Sequence, residues 1–371
     1  MFFIFLAVAA YDANKKTMDF FKESRRESQE VTSLALSHNE KFLAICDRDE
    51  KMPETQVAIF STISRKQLRK MTGTSKEGSI LSACFSRDSK LLVTSSKEMI
   101  TVWLWEKEKI NLSMQISDTI TRVRCPMMPF INNPISDHVF SASGLRHLKL
   151  WTLADNKLSS CMVMPSLFKE KQHNFSDHIW LKDEKHQFAA VADNIIGNSM
   201  ENINNPMQNR KVCIMIFQVS EKSNRGSFQI EPIHTIDVSC KMSTSVETIC
   251  GYKNGFILAG NCGFLSFYQK NLMKGQEKSN FCHISSFACG EKDNFTSLCV
   301  KEDEDQVIIF NNRKRLLSIP VEELKVADDS EIIEKFEECL PVHIGVILDM
   351  DVSLQNSILA TCAQDRSIRI W

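Results

Sequence analysis

The sequence predicts an all-β chain, a β-propeller of about seven four-stranded blades. Three observations carry that prediction. A hydrophobic segment such as Val31-Thr32-Ser33-Leu34-Ala35-Leu36-Ser37 is followed by a polar turn, a second apolar segment and a third strand ending in an aromatic residue, and the pattern recurs seven times. Within the segments, apolar and polar residues tend to alternate with the period of two that a pleated strand imposes. Turn-forming groups such as His38-Asn39-Glu40-Lys41 and Arg87-Asp88-Ser89-Lys90 separate the segments where tight hairpins would fall.

The first repeat comprises Val31 to Ser37, Phe42 to Ile45 and Val57 to Phe60; the second comprises Ile80 to Ser86, Leu91 to Ser95 and Ile100 to Trp105. In both, a serine opens a polar turn whose side chains satisfy their own backbone and so set the hairpin register. The third covers Ile120 to Trp151. The fourth uses His178 to Leu181, Gln187 to Ala192 and Val212 to Phe217, and is interrupted by an Asn-rich stretch, 194–211, that has no periodicity and reads as a polar surface loop. The fifth uses Val246 to Cys250, Gly255 to Gly260 and Gly263 to Tyr268, and the sixth Phe295 to Val300, Gln306 to Phe310 and Leu316 to Ile319. Phe60, Phe217 and Tyr268 stand where other repeats end in Trp.

An acidic segment, 321–340, precedes the seventh repeat and places Leu324, Ile332, Ile333 and Phe336 at roughly helical spacing. It reads as a short amphipathic helix, either packed on the propeller or offered to a partner. The seventh repeat runs through Ile347 to Ser353, Ile358 to Cys362 and Asp365 to Trp371, and has the form of the second half of a WD40 repeat, an Asp turn feeding a strand capped by Trp. Residues 1–30 then form an N-terminal strand or partial blade, and 31–371 the WD40-type propeller, with ring closure left open. Met1 to Ala10 is either a buried strand or a short targeting segment: it ends in small residues but has no basic region before its apolar run and is too short to span a membrane.

Blades of roughly 40–45 residues account for most of the 371 residues as one ring, with the remainder in loops. Hydrophobic residues at 43% and charged residues at 25% allow a large buried core. The 45 Lys and Arg are matched by 46 Asp and Glu, which removes the excess positive charge that would hold a nucleic acid. The clusters Arg65 to Lys70 and Arg313-Lys314-Arg315 lie beside strand ends and are either solvated turn residues or a docking patch for an acidic surface. Thirteen cysteines, an odd number with no CxxC pair, fall mostly in apolar runs, as Cys84, Cys213 and Cys299 do, and read as reduced, buried thiols of a cytosolic protein.

One polar group stands where a physical role requires it. His343, Thr361, Asp365 and Trp371 occupy the positions of the WD-repeat tetrad, in which hydrogen bonds link the inner strands of a blade, at a net value of about 1 kcal/mol per bond. That role is structural. No Gly-x-Ser-x-Gly elbow accompanies it, so a serine hydrolase is not indicated. The pairs His138/His147 and His173/His178 lack a third ligand at useful spacing and read as surface or rim histidines rather than a metal site. With neither a P-loop nor a dinucleotide fingerprint, no cofactor and no small-molecule substrate are expected, and the chain reads as a non-enzyme.

The run Leu34 to Ile45 with Val57 to Phe60, the segment Trp103-Leu104-Trp105-Glu106-Lys107, the pair His178/Trp180, and the closing Leu359-Ala360-Thr361-Cys362 with Asp365 to Trp371 resemble the amino-terminal propeller of the cilia- and flagella-associated protein 57 family, in order and over nearly the whole chain. The resemblance implies a scaffold of the motile axoneme, in the cytoplasm and cytoskeleton, that binds dynein-arm or doublet-microtubule proteins and helps position inner dynein arms. Members carry two tandem propellers and a long coiled coil. This chain has no heptad region and stops at Trp371, so it is expected to be a fragment, a short isoform or an incomplete gene product. The alternative keeps the fold and changes the task, to a cytosolic adaptor such as a ubiquitin-ligase substrate receptor or a trafficking scaffold.

Overall fold

The computed structural model describes residues 2–4, 7–12, 17–21, 29–49, 55–73, 79–117, 119–128, 130, 136–162, 173–182, 185–195, 210–221, 227–238, 245–271, 280–288, 294–313, 315–326, 336–338, 343, 347–353, 358–364, 366 and 368–370. They fall into two compact units, Met1–Ser243 and Thr244–Trp371.

The first unit is a succession of antiparallel meanders. β1 (Phe2–Ile4), β2 (Ala7–Asp12) and β3 (Thr17–Phe21) form a three-stranded sheet. Four four-stranded sheets follow: β4 (Gln29–Leu36), β5 (Phe42–Asp49), β6 (Thr55–Ser61) and β7 (Gln67–Thr72); β8 (Ser82–Phe85), β9 (Leu92–Ser95), β10 (Met99–Leu104) and β11 (Lys109–Gln115); β12 (Ile120–Arg124), β13 (Val139–Gly144), β14 (His147–Ala154) and β15 (Lys157–Met162); β16 (His173–Trp180), β17 (Gln187–Ile195), β18 (Arg210–Glu221) and β19 (Phe228–Asp237). The second unit repeats the plan with β20 (Val246–Tyr252), β21 (Gly255–Gly260), β22 (Phe264–Asn271) and β23 (Asn280–Ala288), then β24 (Phe295–Val300), β25 (Gln306–Asn311), β26 (Leu316–Pro320) and β27 (Glu337–Glu338), and ends in three strands, β28 (Ile347–Ser353), β29 (Ile358–Ala363) and β30 (Ile368–Ile370). The described residues thus hold six four-stranded and two three-stranded sheets.

Local chemistry explains why each meander turns where it does. In the first four-stranded sheet the Ser37 hydroxyl donates to Asn39 Oδ1 (2.7 Å), which also accepts from the Lys41 N–H (3.1 Å), while Ser37 Oγ accepts from the Phe42 N–H (2.9 Å). The second sheet repeats the arrangement: Ser86 to Asp88 Oδ1 (2.5 Å), Lys90 N–H to Asp88 Oδ1 (3.1 Å) and Leu91 N–H to Ser86 Oγ (2.9 Å). Each turn passes one residue, Glu40 or Ser89, through the left-handed region at φ 58° or 61°. Glycine is required at Gly144 and Gly260, where an added Cβ would lie 1.9 Å from the carbonyl oxygens of Thr119 and Ser245.

Two kinds of bulge recur at equivalent places. In six sheets the ladder between the first and second strands skips one residue: Thr32, Thr121, Ser176, Glu247, Thr296 and Leu348. Where that residue is Thr32, Thr121 or Thr296, its hydroxyl donates to a carbonyl of the second strand, at 3.3, 3.3 and 3.2 Å. In four sheets a bulge in the fourth strand lies opposite the aromatic residue of the third, Phe60, Trp103, Phe217 or Tyr268. Phe, Tyr and Trp are therefore equivalent there, and all four rings are buried.

Apolar clusters lie between consecutive sheets. Val8 and Phe21 pack on Leu43, Ile45 and Phe60, with Phe21 edge-on to Phe60 at 5.7 Å. Ala44, Val57 and Ile59 meet Phe85, Leu92, Trp103 and Trp105; Val93 and Val102 meet Phe140 and Trp151; Leu148 and Leu150 meet Phe188, Met215 and Phe217. In the second unit Ile257 and Phe267 meet Val307, Ile309 and Ile319. Each central sheet is covered on both faces, as close sheet-on-sheet packing requires.

Several sequence expectations are refined. At the start of the chain Phe2–Ile4 and Ala7–Asp12 are two paired strands in place of a single one. Asn194 and Ile195 extend β17 and pair with Lys211 and Arg210, so the proposed 194–211 loop narrows; 196–209 lies outside the described residues. In the acidic insert the described helix is short, α1 (Val321–Val326), its Glu322 and Glu323 favourably placed in the first turn and its Val321 and Leu324 packed on the sheets. Glu337–Glu338 is a strand beside β26, and Ile332 and Ile333 lie outside the described residues. Cys299 is exposed, not buried, because alternation along β24 turns it away from the core. The three strands at 347–370 carry Ile347, Leu348, Met350, Val352, Ile368 and Ile370 exposed.

Removing the buried ring of Phe217 (Phe217→Ala) is expected to lower the denaturant-unfolding free energy by about 3–5 kcal/mol, whereas Ile63→Ser, at a turn residue that is 81% exposed, should change it by less than about 0.5 kcal/mol.

Candidate functional site: a buried polar junction

Two members of the proposed tetrad are described, and they meet. His343 Nε2 lies 2.7 Å from Thr361 Oγ1 and 3.2 Å from the Thr361 carbonyl oxygen, joining the segment before β28 to the middle of β29. Asp365 and Trp371 lie outside the described residues. The second sheet has a corresponding pair that inspection of the sequence missed: Thr94, buried on β9, accepts from Trp103 Nε1 at 2.9 Å. The signal was present, since Leu91 to Ser95 and Ile358 to Cys362 align with Thr94 opposite Thr361.

A larger polar constellation lies between the third and fourth four-stranded sheets. Its parts come from β12 (Arg122, Arg124), β13 (Ser141, Ser143) and β16 (Asp177, His178, Trp180). The β16 bulge at Ser176 sets Asp177 and His178 in register opposite Val191 and Ala190. Arg124 grips the fully buried Asp177 carboxylate, with Nη2 at 2.8 and 3.0 Å from its two oxygens and Nε at 3.3 Å; Arg122 Nε stands 4.0 Å away. The His178 backbone N–H donates to Asp177 Oδ1 at 2.8 Å.

The His178 ring joins two serines. Nε2 is 2.7 Å from Ser141 Oγ and Nδ1 2.8 Å from Ser143 Oγ. Ser141 donates its proton to the Arg124 carbonyl (3.2 Å) and accepts from Trp180 Nε1 (2.8 Å), so its remaining lone pair takes the Nε2–H of His178. That assigns the Nε2–H tautomer, with Nδ1 accepting from Ser143. Burial, with the Arg124 charge beside it, pushes the imidazole down to about 3, so it is neutral in the folded protein. Burial alone would raise the Asp177 carboxyl, but the guanidiniums of Arg124 and Arg122 outweigh it and hold the group below the ordinary carboxylate range.

Serine, histidine and aspartate thus gather here without the geometry of a nucleophile relay. Both ring nitrogens are taken by serine hydroxyls, which leaves none to be oriented by Asp177, and Ser141 is buried with its proton committed to a carbonyl. The constellation can bury one negative charge and pin adjacent sheets together. Only the arginine side chains, 37% and 39% exposed, reach solvent.

The remaining histidines correct the expectation of surface positions. His147 and His173 are buried, His147 stacked on Trp151 at 6.1 Å, while His138 sits 3.6 Å from Asp88 at a sheet end. Among the described residues no three His, Cys, Asp or Glu side chains cluster as a metal site. Burial also pushes the thiols of Cys46 and Cys84 upward, and that of Cys125 to about 12, so all three are protonated at neutral pH.

The pattern described as "WD domain, G-beta repeat" matches residues 65–103 and 335–371, the two stretches that contain the Thr94–Trp103 and His343–Thr361 pairs. Cilia- and flagella-associated protein 57 of Mus musculus is 21% identical over 394 residues, taking in 97% of this chain and 30% of that protein. The chain is similar to cilia- and flagella-associated protein 57 along nearly its whole length and carries WD40-type repeats. Protein 57 A of Tetrahymena thermophila matches at 27% identity over 132 residues, 34% of this chain and 10% of that relative. The chain thus spans under a third of the length of these relatives. Among solved structures, the β-propeller domain of Myceliophteria thermophila Cps50 (Swd1) aligns with a TM-score of 0.59 at 12% identity, covering 94% of this chain and 99% of that domain, a likeness of fold alone. The fold class is all-β, of the WD40 propeller type.

Replacing Arg124 with Met should cost about 3 kcal/mol, the lower end for orphaning a buried charge, because Arg122 remains near Asp177; chemical denaturation measures it. The junction also makes stability acid-sensitive. The unfolded chain binds a proton at histidine below about pH 6.5, whereas folded His178 stays neutral down to about 3; stability therefore falls as pH drops through that window, by up to ~1.4 kcal/mol per pH unit for this one group. Asp177 adds a further loss at lower pH, where its depressed folded value is crossed. His178→Gln should flatten the slope between pH 6 and pH 4 in pH-dependent denaturant melts, and an unchanged slope would refute the assignment.

Proposed function

We propose that the chain is a non-enzymatic WD40 interaction scaffold of the motile cilium or flagellum axoneme, helping to assemble or position inner dynein arm components and so supporting motility. The observation that carries this reading is the similarity to a cilia- and flagella-associated protein along 97% of the chain. The buried junction supports the non-catalytic part, because its serine, histidine and aspartate are consumed in holding sheets together. In this reading His343, Thr361, Asp365 and Trp371 are a structural tetrad, the partners are dynein-arm or doublet-microtubule proteins, and the location is the axoneme within the cytoskeleton. No helix among the described residues is long and apolar enough to cross a membrane. A WD40 propeller serves such a task through rigid sheet edges and connecting loops that carry recognition side chains.

Axonemes isolated from ciliated cells that express the tagged chain test the proposal. Most of the chain should remain in the pellet after a salt wash, and its depletion should lower the inner-arm dynein content of the pellet. Recovery in the soluble fraction, as a cytosolic adaptor would behave, would refute it.

A further inference from the structure

The basic run Arg65 to Lys70 is used neither by the polar junction nor by any apolar core. Its strand, β7, has a single neighbour, β6, so one of its backbone edges is unpaired among the described residues. Five of its six side chains, Gln67, Leu68, Arg69, Lys70 and Thr72, are exposed, and only Met71 turns inward. Leu68 is the bulged residue opposite the Ile59/Phe60 step, which aims it outward, 38% exposed. In the preceding turn Ile63 is 81% exposed, more than any other large apolar side chain among the described residues.

The charges here divide into two sets. Arg65 is tied back, donating to the Thr62 carbonyl at 2.5 Å with its guanidinium 5.2 Å from the centre of the Phe21 ring. Arg69 pairs with Glu108 at 3.2 Å and donates to the Leu68 carbonyl at 2.9 Å. Lys66 and Lys70 have no acidic partner among the described residues, and both are exposed. The Lys41 carbonyl accepts from the Thr62 N–H at 3.0 Å, in the turn that precedes Lys66.

We propose that this edge of β7 is a docking surface for an extended, acidic polypeptide segment of a partner protein. Lys70 on the strand and Lys66 just before it repel the same edge of a second copy, which disfavours self-pairing, and attract a strand of opposite charge. Apart from the Leu68 carbonyl, which Arg69 occupies, the backbone edge left unpaired among the described residues offers main-chain hydrogen bonds to an added strand, with Leu68 and Ile63 as apolar contacts at its start. Those features suit a peptide better than a nucleic acid, because a phosphate backbone cannot complete a β-ladder and the chain carries a net charge of -1. The surface is independent of the axonemal assignment.

The test uses a fluorescently labelled glutamate-rich peptide with alternating Val and Thr, titrated with the full chain and read by anisotropy. The double reversal Lys66→Glu with Lys70→Glu should weaken binding by about tenfold or more. A charge-matched control, Lys97→Glu with Lys157→Glu, should bind like the unsubstituted chain, with thermal melts showing that both variants are folded. Ile63→Ser should weaken binding less than the double reversal. Three results would overturn the proposal: no loss on reversing Lys66 and Lys70, an equal loss in the control, or equally tight binding of a single-stranded oligonucleotide of the same net charge.

Discussion

A strand meander whose middle strands are apolar on both faces cannot fold alone, and this constraint governs the rest of the structure. Each four-stranded sheet of the first unit needs a neighbour on either side to remove Val, Ile, Leu and aromatic surface from water, and the clusters around Phe60, Trp103, Trp151 and Phe217 are where those neighbours meet. Because strand side chains alternate with a period of two, a one-residue slip in any ladder would turn an apolar set away from its partner. The recurrent bulges and the serine-opened turns are best understood as devices that hold that register. They recur at equivalent positions even where the sequences around them differ.

The junction between the third and fourth four-stranded sheets supplements apolar packing with polar specificity. A buried carboxylate is tolerable only when its charge is met by well-placed donors, and Arg124 supplies a charge-assisted grip that fixes β12 against β16. The hydroxyls of Ser141 and Ser143 and the indole of Trp180 complete the hydrogen bonding of a neutral imidazole, so the ring has one satisfied orientation. Its chemistry is thereby spent on geometry, in keeping with a molecule whose task is to present surfaces. The edge of β7 shows the opposite disposition, with Lys66 and Lys70 unmatched by acidic groups among the described residues and the tips of Leu68 and Ile63 exposed.

Much of the repeat plan was legible in the chain itself. Strand positions, the serine-opened turns at Ser37 and Ser86, and the equivalence of Phe60, Phe217 and Tyr268 with Trp follow from alternation and turn chemistry within short windows. The apolar start of the chain and the Asn-rich and acidic inserts were less legible: a short apolar run fits a lone strand as well as a hairpin, and strand pairing can continue into polar sequence, as Asn194 opposite Lys211 shows. The histidines misled for a related reason. A polar side chain in a strand is assigned to solvent by default, yet His147, His173 and His178 are buried: the rings of His147 and His173 lie beside Trp151 and Phe175 of their own strands, and the His178 ring meets serine hydroxyls from β13.

The class of the fold, the order of its repeats and the local turns can be read from the chain alone, since these depend on residues within a few positions of one another. Which polar side chains meet is settled by the packing of sheet on sheet. Arg124 and Asp177 are 53 residues apart, and Ser141 and Trp180 are 39 apart. Nothing in either neighbourhood marks its partner. Their encounter depends on how one twisted sheet lies against the next, a long-range geometry that the period of the strands does not encode.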